Sequence, residues 1–251
     1  MDVFNPLLIR LLPALLKQRL KNNRLFHTVA HTVGYHEMKI EYEPQVCEAI
    51  RRIVKPGWIC ADVGANIGMI TSVLANAVGP EGRVVAFEAF PENAHILGQR
   101  MDGLGFSERV IVENIAVTDG LAVRVGLNAG RNRSSLEWNI MGHDVDGYPM
   151  QPELEVDAIS LDHYFKQGKP LHFVKMDIEG AAALALAGMR NLLHEQHPIM
   201  LIEFHDEPEW ESRKELLDTG YALFDLEGQK VETPSKAQRL YQCIALYEKA
   251  L

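Results

Sequence analysis

Asp62, Gly64, Asn66 and Gly68 occupy every second position of the run Asp62-Val63-Gly64-Ala65-Asn66-Ile67-Gly68, and Glu88 follows 20 residues after the last glycine. Gly64 and Gly68 lack a Cβ and permit close approach, and Asn66 tolerates unusual turn dihedrals. An acid at such a distance is where a nucleoside-binding βαβ unit offers a carboxylate to ribose hydroxyls. An ionised carboxylate only accepts hydrogen bonds, so Glu88 suits both hydroxyls of a ribose diol. The dinucleotide fingerprint G-x-G-x-x-G is not met, because only two glycines are present and Asp62 stands ahead of them. A carboxylate repels pyrophosphate in a partly desolvated cleft. It favours a ligand carrying an ammonium group and a sulfonium, so the turn points to S-adenosylmethionine. Ala65 lies within the turn. Ala89, Phe90 and Ala116 are small or apolar residues placed to flank adenine, with packing an equal role for Phe90, and Asn114 ends a neighbouring strand.

Further along, Asp177 and Glu179 close an apolar run, and Glu203 and His205 close another. Methyl transfer is an in-line displacement at a sulfonium carbon, so its rate depends on alignment and, for a hydroxyl nucleophile, on a base. Asp177 at a strand end suits a base or a hydroxyl acceptor, and His205 is a second candidate base. Glu179 divides between a site role and first-turn charge on the following helix. Lys175 lies within an apolar strand and calls for an ion pair with Asp177 or Glu179. Glu203 is a candidate for substrate contact. So are Ser134 and Ser135, which sit beside Arg131 and Arg133 in a long polar stretch. The acids and His205 also invite a divalent cation, but a hydrogen-bonded acidic cleft without a metal is preferred.

These residues need elements to hold them. Helix Glu43–Val54 precedes strand Trp58–Val63, helix Met69–Ala77, strand Arg83–Phe87, helix Pro91–Gly103 and strand Val110–Asn114. A strand Ala122–Leu127 follows, then a turn-rich stretch over 128–153 without a strong helix. Long loops of this kind are often functional. Strand Glu155–Ile159, a helix starting at Leu161, strand Phe173–Asp177, helix Gly180–Leu193 and strand Ile199–Phe204 continue the alternation. Helix Ser212–Asp218 and edge strands Ala222–Phe224 and Tyr241–Tyr247 end it. Alternating strands and helices predict an α/β fold: a Rossmann-like, doubly wound, mostly parallel sheet with ligands beyond the carboxyl ends of its strands.

The 251 residues carry a formal net charge of −9, which counts against a nucleic-acid partner. Residues 1–36 hold five basic residues against the single acid Asp2, leaving 20 basic against 33 acidic residues in the remainder. Val3 to Leu20 reads as a leucine-rich amphipathic helix broken by Pro13, too short to span a bilayer. It lacks the features of a signal peptide. Packing on the domain or in a homodimer is preferred over peripheral membrane contact. The chain is thus divided into an N-terminal helical extension, 1–42, and a catalytic domain, 43–251. Cys47, Cys60 and Cys243 are far apart and without metal spacing, as expected of core thiols in a cytoplasmic protein.

The chain resembles the FkbM family of S-adenosylmethionine-dependent methyltransferases. The resemblance rests on Asp62 to Gly68, Val84-Val-Ala-Phe-Glu88, Ser134-Ser135-Leu136, Leu161-Asp162 and Val174-Lys-Met-Asp-Ile-Glu-Gly180, over roughly residues 58–205. It implies a seven-stranded class I methyltransferase sheet, S-adenosylmethionine as donor, and O-methylation of a hydroxyl on a sugar or other small natural product. The family often has an acid soon after Glu-Gly, where this chain has Ala181-Ala182-Ala183. A nicotinamide oxidoreductase and a non-catalytic cofactor-binding module of the same fold stand as alternatives.

Overall fold

A proline in the first helical turn costs no hydrogen bond, and α1 (Pro44–Ile53) begins with one. The computed structural model of the chain describes residues 43–129, 138–140, 152–166, 170–231 and 242–250. The expected N-terminal helix, Arg131, Arg133, Ser134, Ser135 and Tyr241 lie outside them. After α1 come β1 (Ile59–Val63), α2 (Met69–Val78), β2 (Arg83–Phe87), α3 (Pro91–Gly103) and β3 (Val110–Glu113). Short strands β4 (Ala116–Val117), β5 (Arg124–Ala129), β6 (Trp138–Asn139) and β7 (Leu154–Ile159) lead to a single helical turn, α4 (Leu161–Tyr164). Then follow β8 (Phe173–Met176), α5 (Ala182–Ala187), α6 (Arg190–Glu195), β9 (Ile199–Glu203), α7 (Glu207–Asp218), β10 (Tyr221–Phe224) and β11 (Gln242–Tyr247).

The main sheet has seven strands in the order β10-β11-β9-β8-β1-β2-β3. All neighbouring pairs are parallel except those made by β11, which runs against both β10 and β9. The chain winds from β1 outward through β2 and β3, and later returns to β8 on the other side of β1. The order therefore reverses between β1 and β8, and such a switch point opens a crevice at the carboxyl ends of the two strands. Side chains alternate between the two faces. Ala61, Val63, Val174 and Met176 join a core with Leu186, Leu193 and Trp210 on one face. Cys60, Val84 and Phe173 pack with Ile50, Leu74 and Leu97 on the other. Cys47, Cys60 and Cys243 are buried free thiols, as expected.

Three expectations need correction. The predicted helix Gly180–Leu193 is two short helices, α5 and α6. The break falls at Gly188, where a Cβ would strike the Thr118 carbonyl. The Gly188 carbonyl accepts the Asp162 N–H at 2.9 Å, and the Asp162 carboxylate accepts Asn191 N–H and Leu192 N–H at the start of α6. Helix α7 begins five residues earlier than predicted, because Asp206 caps it by accepting the Glu209 N–H at 2.8 Å. The stretch expected to be turn-rich from 128 is in part sheet. β5 runs to Ala129 and pairs with β6, within a four-stranded sheet of order β4-β7-β5-β6.

Candidate active site

The turn after β1 is sewn to the end of β2. The Phe87 carbonyl accepts both Gly64 N–H and Ala65 N–H at 3.0 Å. Asn66 takes a left-handed φ of 52°, and its N–H donates to Glu88 Oε2 at 2.7 Å. Phe90 N–H donates to Glu88 Oε1 at 2.8 Å, and Asn114 Nδ2 donates to the Glu88 and Ala89 carbonyls at 2.9 and 3.0 Å. Burial pushes the Glu88 carboxyl up to about 7, against the pull of the Phe90 and Asn66 N–H groups and the Asn93 side chain. A carboxylate offers about four lone-pair positions. With three engaged, Glu88 has capacity for one ribose hydroxyl where two were expected.

Asp62 is fully buried, accepting the Thr71 hydroxyl at 2.6 Å through Oδ2. Oδ1 meets no donor among the described residues. Burial pushes this carboxyl up, the Lys175 ammonium and the Thr71 hydroxyl pull it down, and Asp177 pushes it up again. The orphaned oxygen, beside a nucleoside-type turn, fits a cofactor bearing an ammonium group. The two glycines also pack the chain against itself. Gly64, at φ 81°, lies where a Cβ would strike the Asp177 carbonyl, and Gly68, at φ 84°, where one would strike Leu97. The close approach they permit is of the chain to itself. Phe90 and Ala116 pack with Leu127 and Val156, with Ala89 against them, as a small core of their own.

Across the switch point stands a charged cluster. Asp177 N–H donates to the Val63 carbonyl at 3.0 Å, which sets the Asp177 backbone beside the Gly64 turn. Lys175 Nζ lies 2.8 Å from Asp177 Oδ2, so Asp177 is the partner that the buried lysine needs. Lys175 is also register partner of Asp62. His205 Nε2 is 3.1 Å from Asp177 Oδ1, 3.7 Å from Glu179 Oε2 and 3.9 Å from Glu203 Oε1. Its Nδ1 is 3.2 Å from Glu209 Oε2. Glu203 Oε2 accepts Gln242 Nε2 at 2.8 Å. Burial opposes ionisation of Asp177, but Lys175 and His205 together hold its carboxyl well below the usual range. Burial likewise opposes the imidazolium, and the hydrogen bonds to Asp177 and Glu209 with the charge of Glu179 override it, lifting His205 to about 11.

The hydrogen bonds to Asp177 and Glu209 favour the imidazolium of His205, a form that steadies Asp177 and has no lone pair to offer as a base. Its Nε2 proton is committed to Asp177. Glu179 is not first-turn charge on a helix either: it sits in the turn ahead of α5 at φ 40°, followed by Gly180 at φ 93°, and faces the imidazole. Asp177, Glu179 and His205 each offer a donor atom within 4.8 Å of one another, as do Glu43, Asp177 and Glu203. Lys175 and His205 lie against Asp177 in the same cluster. Glu209 is the site residue that the sequence reading missed. The spacing Asp206-x-x-Glu209 is a capping pattern that marks a helix start, and that signal would have moved α7 toward the site.

A family profile described as the methyltransferase FkbM domain matches residues 62–225. Among solved structures, the FkbM methyltransferase of Methylobacillus flagellatus KT is 18% identical, with 88% of this chain and 54% of that one covered and a TM-score of 0.48. This chain thus spans about half the length of that protein. A SAM-dependent O-methyltransferase of Thermotoga maritima is 15% identical over 81% of this chain and 64% of its own, with a TM-score of 0.45. An rRNA methylase of Streptococcus thermophilus is 13% identical over 80% and 92%, with a TM-score of 0.44. Likenesses this distant say nothing of the acceptor.

Proposed function

The chain belongs to the FkbM methyltransferase family, and from that premise we propose that it methylates a hydroxyl on a small acceptor, a sugar or another natural product. S-adenosylmethionine is the donor, and when bound it supplies an electrophilic methyl group on a sulfonium. The observation that carries the hydroxyl reading is the placement of Asp177, its carboxylate kept ionised by Lys175 and His205, where its backbone meets the turn after β1. Each Asp177 oxygen has one cationic partner, which leaves lone pairs to accept the acceptor's O–H. With the donor bound, the hydroxyl oxygen would form the new C–O bond as the C–S bond broke, its electron pair staying on sulfur. The hydroxyl proton leaves through Asp177 to solvent. A carboxylate held so acidic is a weak base, so alignment contributes more to the rate than proton abstraction.

The net charge of −9 disfavours a nucleic-acid acceptor. Among the described residues no helix is long and apolar enough to cross a membrane. Ser134 and Ser135 remain candidates for closing over the acceptor, and Glu203 for contacting it. The test of the cofactor and of the pocket is calorimetry with S-adenosylhomocysteine, with NAD titrated in parallel. Micromolar binding of the former alone is expected. Binding of NAD alone would favour an oxidoreductase, and binding of neither would favour a module without this chemistry. A screen of hydroxylated acceptors for methyl transfer then tests the O-methylation.

A further inference from the structure

Glu209 is fully buried, on the first turn of α7, and a carboxylate in such a place must be well supplied with donors. Oε1 accepts Ala182 N–H at 2.7 Å. Oε2 accepts His205 N–H at 2.5 Å and faces His205 Nδ1 at 3.2 Å. Its own N–H donates to the capping Asp206 at 2.8 Å, which fixes the turn that carries it. Ala182 opens α5, just beyond the Asp177–Gly180 turn, and His205 lies two residues past β9. One carboxylate thus ties together the two chain segments that bring Asp177, Glu179 and His205 to the crevice. The stretch Ala181-Ala182-Ala183 offers no acid of its own there.

We propose that Glu209 is the positioning residue of the methyl-transfer site, holding His205 with Nδ1 as donor to Glu209 and Nε2 turned to Asp177. An ionised carboxylate can only accept, so the ring nitrogen opposite it must carry the hydrogen. The groups around the ring are Asp177 and Glu179 from the end of β8 and its turn, Glu203 from β9, and Glu209 from α7. Three of them face Nε2 and one faces Nδ1. Of these four, Glu209 alone holds Nδ1 and so fixes which way the ring is turned. The other nitrogen is left to hold Asp177 ionised and in place, as an outer carboxylate orients an imidazole in other acid–base sites. The role in turnover rests on the hydroxyl-methylation reading above, whereas the orientation of the ring does not.

The experiment is heteronuclear NMR of the full chain labelled with 15N-histidine, in the wild type, Glu209→Gln and His205→Asn, the last to assign the signal. The wild type should show an exchange-protected Nδ1–H resonance from His205 near neutral pH, and Glu209→Gln should lose or displace it. Glu209→Gln should also lower kcat about tenfold or more, with acceptor KM and S-adenosylhomocysteine affinity within about threefold. A purely structural Glu209 would lower the melting temperature and leave the resonance where it was. That result, a wild type without a protected Nδ1–H, or an unchanged kcat in Glu209→Gln would overturn the proposal. If Glu209→Gln does not fold, the wild-type spectrum decides. If no hydroxylated acceptor is methylated, the function reading fails while the resonance still reports on Glu209.

Discussion

At the residue scale the site is an exercise in holding charge away from water. Glu88 has little exposure and a carboxyl raised to about 7, yet it must accept hydrogen bonds to serve a ribose. A donor from the cofactor favours its ionised form. Binding should therefore release a proton near pH 6.5, and S-adenosylhomocysteine affinity should rise between pH 6 and pH 8. Glu88→Gln should flatten that rise and weaken binding about tenfold, measured by calorimetry in buffers of different ionisation enthalpy. An equally steep rise in the variant would remove Glu88 from the cofactor site. Asp177→Asn makes a different prediction. It takes the ionised partner from a buried lysine, so thermal stability should fall. It should lower kcat by about a hundredfold while S-adenosylhomocysteine affinity changes by less than about threefold. Equal losses in both would argue against a part in the chemistry.

At the element scale the decisive contact is between the turn after β1 and the end of β8. Gly64 can adopt its left-handed φ without strain, and its missing Cβ makes room for the Asp177 carbonyl. Gly64→Ala should then cost at least about 2 kcal/mol, from backbone strain and the clash together. It should also shift Asp177, so kcat should fall with stability. Urea unfolding and steady-state rates check both, and a variant as stable as the wild type would mean the strands can slide apart without loss. The division of the expected helix after Gly180 has a comparable cause. Gly188 lies against the Thr118 backbone, and Asp162 caps α6 from α4, so contacts distant in sequence outweigh the helix-forming run Ala181 to Ala187.

For the molecule as a whole, the cluster makes stability depend on pH in a direction that follows from its shifts. Asp177 is lowered from 3.8, so its contribution is present above about pH 4 and is lost as pH falls further. His205 is raised from 6.5 to about 11, so its contribution is full below about pH 6.5 and declines as pH rises toward 11. Glu88, raised from 4.5 to about 7, adds a decline between those values. The two groups of the cluster thus act fully together between about pH 4 and pH 6.5. Thermal melts of the wild type should fall from pH 6.5 to pH 9, and those of His205→Asn should fall less steeply. Parallel slopes would show that the imidazolium is not held as the geometry implies.

The alternation of strands and helices was legible along the chain, because apolar periodicity and glycine or proline turns are local signals. So were the acid at the end of β2, the acids at the ends of β8 and β9, and the pairing of Lys175 with a nearby carboxylate. A charged residue in an apolar strand has few other ways to be buried. Folding across the sheet is what shows that the glycines pack against the chain itself, that Glu88 is mostly occupied by backbone N–H groups, and that His205 lies among four carboxylates. Each of these depends on which groups meet across strands far apart in sequence. Glu209 depends on it most. Its value to the site comes from reaching Ala182, 27 residues back along the chain, a contact that no local pattern encodes.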